Sequence, residues 1–180
     1  MTPIGMTDHT AYLTERYGPR YLLTHPSGHF VYVCNWDRDT LSAYAIDPDT
    51  GSLTPLPCSP YPTGKQPRAI TITPNGRFLY AGNWGSGTVS GYRVDQATGT
   101  LDSLSESPFS VGQRPRNLRL DPTGRFGYVS NRDSRTISAF TVDLQTGNLV
   151  QIHQGTAGTG ELPRSTVIDF TGRFAYTAHQ

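Results

Sequence analysis

Four arginines follow a proline at a fixed interval: Pro19-Arg20, Pro67-Arg68, Pro115-Arg116 and Pro163-Arg164. The interval is 48 residues each time. A guanidinium is a planar fork of donors that stays charged and grips carboxylate or phosphate bidentately. Four of them on one mouth would bind a small anionic ligand, and the same charge could stabilise the oxyanion formed when an ester carbonyl is attacked. The opposing reading is structural. A residue present in every repeat can be there to build every repeat, each arginine bonding carbonyls or a carboxylate of its neighbour. Arginine also outnumbers lysine 14 to 1 across the chain, which base composition alone could produce.

A second set keeps the same interval. Asn35, Asn83 and Asn131 recur, and His179 takes the fourth place. Trp36 and Trp84 follow the first two asparagines, and Arg132 and Gln180 stand at the corresponding later positions. The asparagines could contact a ligand or cap their own loops. The tryptophans could stack a sugar ring or cover the top of the fold. His179 could act as a base. The five histidines show no metal-ligand spacing and no accompanying carboxylate cluster, so neither a metal nor a cofactor is expected. The Gly155–Gly160 stretch opens no helix and is no phosphate loop.

These residues need a scaffold that repeats every 48 positions. Gly28, Gly76, Gly124 and Gly172 keep the interval, as do Phe30, Phe78, Phe126 and Phe174, and Tyr32, Tyr80, Tyr128 and Tyr176. Each repeat reads as four short strands, with β-branched and aromatic residues at period two between Gly, Pro, Asn and Asp turns. Strand A covers Tyr21–Thr24, Ala69–Thr73, Asn117–Leu120 and Ser165–Ile168. Strand B covers Phe30–Cys34, Phe78–Gly82 and Phe126–Ser130. Strand C covers Leu41–Ile46, Val89–Val94 and Ile137–Val142, and strand D starts at Leu53, Leu101 and Leu149. A tandem four-stranded antiparallel unit of this length is a β-propeller blade; a β-solenoid is the alternative. The expected fold is all-β, about three and a half blades: 17–65, 66–113, 114–161 and the first half of another at 162–180. Residues 1–16 form a leader or the end of a preceding blade.

In an antiparallel meander the start of A and the end of B share a rim. The arginines, asparagines, tryptophans and His179 therefore belong to one face. The Pro-x-Gly and Thr-Gly turns, with Asp47, Asp95 and Asp143, belong to the other. Three and a half blades do not close a ring, so the reading favours a piece of a longer chain over two chains sharing one ring. Open blade edges would also permit self-association.

Composition excludes several classes. Hydrophobic residues make 35% of the chain and aromatics 11%, too aromatic for a disordered chain. No apolar run approaches the ~20 residues of a membrane helix. A net charge of +1 gives no argument for nucleic acid or an anionic membrane. Cys34 and Cys58 form no metal or redox motif, which suits a reducing compartment. With no signal-peptide pattern at the N-terminus, the cytoplasm is the expectation.

The stretches Gly18-Pro19-Arg20, His25-Pro26, Phe30-Val31-Tyr32-Val33-Cys34-Asn35 and Asp47 … Thr50-Gly51-Ser52-Leu53 resemble the seven-bladed propeller lactonases. That family includes a bacterial type of 6-phosphogluconolactonase and the carboxymuconate lactonising enzymes. The resemblance covers residues 17–180 and rests mostly on turn and strand positions. It implies a seven-bladed ring and metal-independent hydrolysis of a sugar lactone. Its arginine falls on Arg20, and next on Arg164. Its glutamate follows the asparagine that ends strand B; here that place holds Trp36, Trp84, Arg132 and Gln180. Its His-Ser-Ala-Asn stretch has no counterpart in these strands A. A non-catalytic propeller that binds an anion or a protein at the channel rim is the alternative.

Overall fold

The computed structural model describes residues 18–152 and 157–180. The leader 1–16, His153 and the start of the Gly155–Gly160 loop lie outside the described residues. The first sheet comprises β1 (Pro19–Thr24), β2 (Phe30–Asn35), β3 (Thr40–Ile46), β4 (Leu53–Pro55) and β5 (Tyr61–Pro62). The second comprises β6 (Pro67–Ile72), β7 (Phe78–Asn83), β8 (Thr88–Val94), β9 (Leu101–Ser103) and β10 (Phe109–Ser110). The third comprises β11 (Pro115–Leu120), β12 (Phe126–Asn131), β13 (Thr136–Val142), β14 (Leu149–Gln151) and β15 (Ala157–Gly158). A two-stranded fourth sheet pairs β16 (Pro163–Ile168) with β17 (Ala175–His179). All pairings are antiparallel, so the fold is the all-β propeller arc.

The outer strand differs from the expectation of a single strand D. It is broken in two, and both pieces pair with the same neighbour: β4 with Tyr44–Ile46 and β5 with Thr40 and Leu41. Between them Leu56 N–H reaches Ala43 C=O, and Ser59 Oγ accepts from Ala43 N–H. The outward detour thus keeps the backbone of β3 paired.

The core lies between blades, not within them. Phe30, Tyr32 and Leu41 of the first sheet pack against Ile70, Leu79, Tyr92 and Leu101 of the second. The opposite face of the second sheet, with Phe78, Tyr80 and Val89, packs on Leu118, Val129 and Phe140 of the third. Leu79 and Tyr80 are adjacent in β7 and point to opposite neighbours, as strand pleating requires. The end blades expose what a neighbour would cover: Leu22 is 47% exposed, and Val167, Phe174 and Tyr176 are 54%, 55% and 62%.

Adjacent blades are also latched at the far rim. Tyr32 Oη donates to Gly99 C=O at 2.8 Å, and Tyr80 Oη to Gly147 C=O at 2.7 Å. Both glycines have positive φ, and a Cβ on either would stand 2.4 Å from the ring of Phe30 or Phe78. Only glycine satisfies both demands.

The near rim carries a feature that the sequence pattern does not announce. Pro19 pairs with Asn35 and Tyr21 with Cys34, which leaves Arg20 as the extra residue of a β-bulge. The same slip occurs at Arg68, Arg116 and Arg164. A bulge re-aims the side chain of its extra residue. Backbone bonds then tie each bulged strand to the loop after its partner: Trp36 N–H to Gly18 C=O, Trp84 to Gln66, Arg132 to Arg114 and Gln180 to Leu162.

Candidate functional site: an arginine cup on the near rim

Arg20, Arg68, Arg116 and Arg164 come from four successive innermost strands and line one cavity of about 280 Å³, together with Tyr21 and Asn117. No Asp or Glu lines it. Arg68 is half-buried at its centre. Burial lowers its pKa from the usual guanidinium value, and the positive charges of Arg116, Arg20, Arg132 and Arg164 lower it further. Burial, then Arg164 and Arg132, does the same to Arg116. The cup therefore holds an excess of positive charge that an anion would relieve. Beneath the arginines, Arg119 Nη2 donates to Tyr21 Oη at 3.1 Å, linking the innermost strands of the first and third blades.

Tryptophans interleave with the arginines. Arg20 lies 5.1 Å from the Trp36 ring centroid, and Arg68 lies 5.7 Å from Trp36 and 5.0 Å from Trp84. Arg114 lies 5.5 Å from the Trp84 ring centroid. The two rings are 6.0 Å apart and tilted by 49°. Cation–π contact holds a guanidinium in place without consuming its N–H donors or neutralising its charge. Trp36 and Trp84 thus support the arginines; the sugar-stacking expectation meets rings already contacted by guanidinium groups.

The remaining expected residues fall in different places. Asn35, Asn83 and Asn131 are buried. Each amide donates to a threonine and a serine of its own sheet: Asn35 to Thr40 and Ser42, Asn83 to Thr88 and Ser90, Asn131 to Thr136 and Ser138. They build the loop beneath the rim and do not line the cup. His179 is exposed, lies opposite Pro163, and is not among the cup-lining residues. Arg164 is at the exposed edge and donates to Gln180 Oε1. Cys34 is buried and Cys58 exposed, and both are free thiols. Among the described residues no cluster of His, Cys, Asp or Glu could hold a metal.

Sequence reading missed Tyr21, Asn117 and Arg114. The first two follow or parallel the bulged arginines, so the bulge itself was the missing signal. Arg114 is visible only as a departure from Gly18 and Gln66 at the same repeat position.

A propeller arc with guanidinium groups at one channel mouth defines a class, and the comparisons with known proteins narrow it. The family model described as "Lactonase, 7-bladed beta-propeller" matches residues 9–161 and 114–180. The chain belongs to that family. No curated protein matches it. Among solved structures it is similar to a provisionally named 6-phosphogluconolactonase from Bacteroides uniformis, at 23% identity and TM-score 0.80, covering 89% of this chain and 47% of that one. A periplasmic gluconolactonase from Pseudomonas aeruginosa gives 24% identity and TM-score 0.80, with 90% and 47% covered. A second provisionally named 6-phosphogluconolactonase, from Bacteroides fragilis, gives 29% identity and TM-score 0.70, with 77% and 38% covered. The chain spans less than half the length of these proteins.

Proposed function

We propose that the chain supplies the anion-holding part of a metal-independent lactonase site for a sugar lactone of the 6-phosphogluconolactone kind. One observation carries this reading: four bulged arginines converge on a cavity that no carboxylate lines. In the scheme, water attacks the ring carbonyl, the ring C–O bond breaks, and the free acid leaves. Arg68 and Arg116 hold the anionic group of the substrate. Arg20 and Arg164, at the two ends of the row, stabilise the carbonyl oxygen as it gains charge. His179, the last residue of β17 and across from Pro163, is the proposed base.

A second reading is favoured by a specific observation. Neither a carboxylate nor a histidine lines the cup, and the family's glutamate position holds Trp36, Trp84, Arg132 and Gln180. On that reading the chain is a propeller that binds an anionic ligand without turning it over.

Calorimetry with phosphate and 6-phosphogluconate, beside hydrolysis assays on phosphorylated and unphosphorylated gluconolactone, separates the two. Turnover that prefers the phosphorylated lactone and is lost in Arg20→Ala, with folding intact, supports the enzyme. Binding without turnover supports the second reading. A folded protein that binds neither anion overturns both.

A further inference from the structure

The three loops that follow β2, β7 and β12 occupy equivalent places but differ in bulk. They read Trp36-Asp37-Arg38-Asp39, Trp84-Gly85-Ser86-Gly87 and Arg132-Asp133-Ser134-Arg135. The first blade shows that the loop forms with large side chains. Asp39 takes the left-handed conformation there at φ 56°, as Gly87 does at φ 64°. Its carboxylate fills the junction to the second blade by accepting Gln66 N–H at 2.7 Å. The left-handed position of the second loop therefore does not demand Gly87, whereas a Cβ on Gly85 would stand 2.9 Å from Gln66 Oε1 and 3.0 Å from Lys65 Cβ. The effect of the loop's small residues is a groove of about 460 Å³ at the junction of the second and third blades, lined by Gln66, Trp84, Ser86, Gln113, Arg114 and Asp133. That volume is in the range of small-molecule sites, ~300–1,000 Å³.

The groove differs chemically from the cup. Its carboxylate is engaged by two guanidiniums: Asp133 pairs with Arg114 at 3.0 Å and with Arg132 at 2.9 Å. The other polar lining groups are the carboxamides of Gln66 and Gln113 and the Ser86 hydroxyl, which are neutral and both donate and accept. Trp84 stands between the two sites: it lines the groove, and Arg68 of the cup lies 5.0 Å from its ring. We infer that this groove is a subsite for an uncharged polyhydroxyl group, so that a ligand anchored by its anionic end in the cup lays its hydroxylated remainder past Trp84. The bridging part rests on the reading of the cup as an anion site; occupancy of the groove by hydroxylated groups does not.

The test grafts the first loop onto the second, Gly85→Asp with Ser86→Arg and Gly87→Asp, and runs Ser86→Arg alone as a milder variant that keeps both glycines. The probes are D-glucose, inorganic phosphate and 6-phosphogluconate. Glucose should shift the indole N–H resonance of Trp84 more than that of Trp36, and both loop variants should lose that shift. Phosphate should bind all three proteins equally. 6-Phosphogluconate should bind the unaltered protein about tenfold tighter than phosphate does, and the variants should lose that advantage. A Trp84 resonance that ignores glucose in the folded protein, or an advantage that survives both variants, overturns the subsite. A glucose shift in a protein that fails to bind phosphate upholds the groove and overturns the anion cup instead.

Discussion

The two rims of the arc are made by the same repeat, yet their recurring polar groups meet different fates. On the far rim the recurring groups are satisfied within the protein. Asp47 accepts N–H bonds from Asp49 and Thr50, and Asp95 and Asp143 do the same in their own turns. Those bonds hold all three carboxyls below the ordinary carboxylate range. Tyr32 and Tyr80 find glycine carbonyls one blade on. On the near rim the asparagine amide N–H groups are committed, though the buried Oδ1 atoms of Asn83 and Asn131 have no partner. The four cup arginines meet no carboxylate in the cup, but stack on rings and repel one another. Recurrence every 48 residues is therefore neutral between structure and function. What separates the rims is whether a repeated charged group has its hydrogen-bonding capacity taken up inside the protein, as the turn N–H groups do for Asp47, Asp95 and Asp143.

The largest expected effect tests the far rim. Gly99→Ala would put a Cβ 2.4 Å from the Phe30 ring at φ 72°. Overpacking costs about 1–3 kcal/mol, and a non-glycine residue in the left-handed region about 1 kcal/mol more. Denaturant unfolding should show a loss of about 3 kcal/mol, while phosphate affinity stays unchanged. Arg68→Ala should do the converse. Loss of charge-assisted hydrogen bonds of ~1.5–3 kcal/mol lowers anion affinity about 10- to 100-fold. Stability should hold or rise, because like-charge repulsion is relieved. If Arg68→Ala instead destabilises the protein as Gly99→Ala does, the contrast between the rims collapses and the arginines are structural.

Much of this was legible because the fold is periodic. The interval located strands A, B and C of the first three sheets and the start of strand D, and the Pro-x-Gly and Thr-Gly turns fixed where chains reverse. The meander rule then put Arg20, Arg68, Arg116 and Arg164 on one rim without any knowledge of side-chain direction. The bulge was not legible, because a one-residue slip leaves the period unchanged: Pro19-Arg20 reads as a plain strand start. The breaking of the outer strand at Leu56–Ser59 was hidden for a related reason, since both halves carry ordinary strand residues. The burial of the asparagines was not legible, because a residue type says nothing of burial. Their amide bonds run to Thr and Ser positions five and seven residues on, which themselves recur. The pairing of Trp36 and Trp84 with guanidinium groups required knowing that the bulge turns each arginine toward the neighbouring loop.

A smaller effect sharpens the near rim. If the indole rings hold the guanidinium groups in place, Trp84→Leu removes a contact on Arg68 and another on Arg114. A cation–π contact contributes ~0.5–1 kcal/mol at an exposed site. Phosphate affinity should fall about two- to fivefold, and Trp84→Phe should recover part of it. A loss as large in Trp84→Phe as in Trp84→Leu would mean that the ring face is not what holds the arginine.

The smallest effect returns to the far rim, where one recurring position is occupied by three residue types: His25, Thr73 and Asp121, all buried. His25 Nδ1 accepts Ser27 N–H at 3.1 Å, and Nε2 lies 3.2 Å from Gly76 C=O, to which it donates. That arrangement needs the neutral ring. Burial lowers the His25 pKa below its usual 6.5, outweighing the Gly76 carbonyl, and His29 lowers it further. The unfolded chain therefore binds a proton at a pH where the folded one does not, and stability must fall as pH drops through 6.5 toward the folded pKa. Above 6.5 this contribution is constant. His25→Thr, which copies the second blade, should flatten that part of the stability–pH curve and leave phosphate affinity untouched. An unchanged slope in the variant would show that the His25–Gly76 junction is open to water, and that the far rim is not the closed, self-satisfied surface set against the arginine cup.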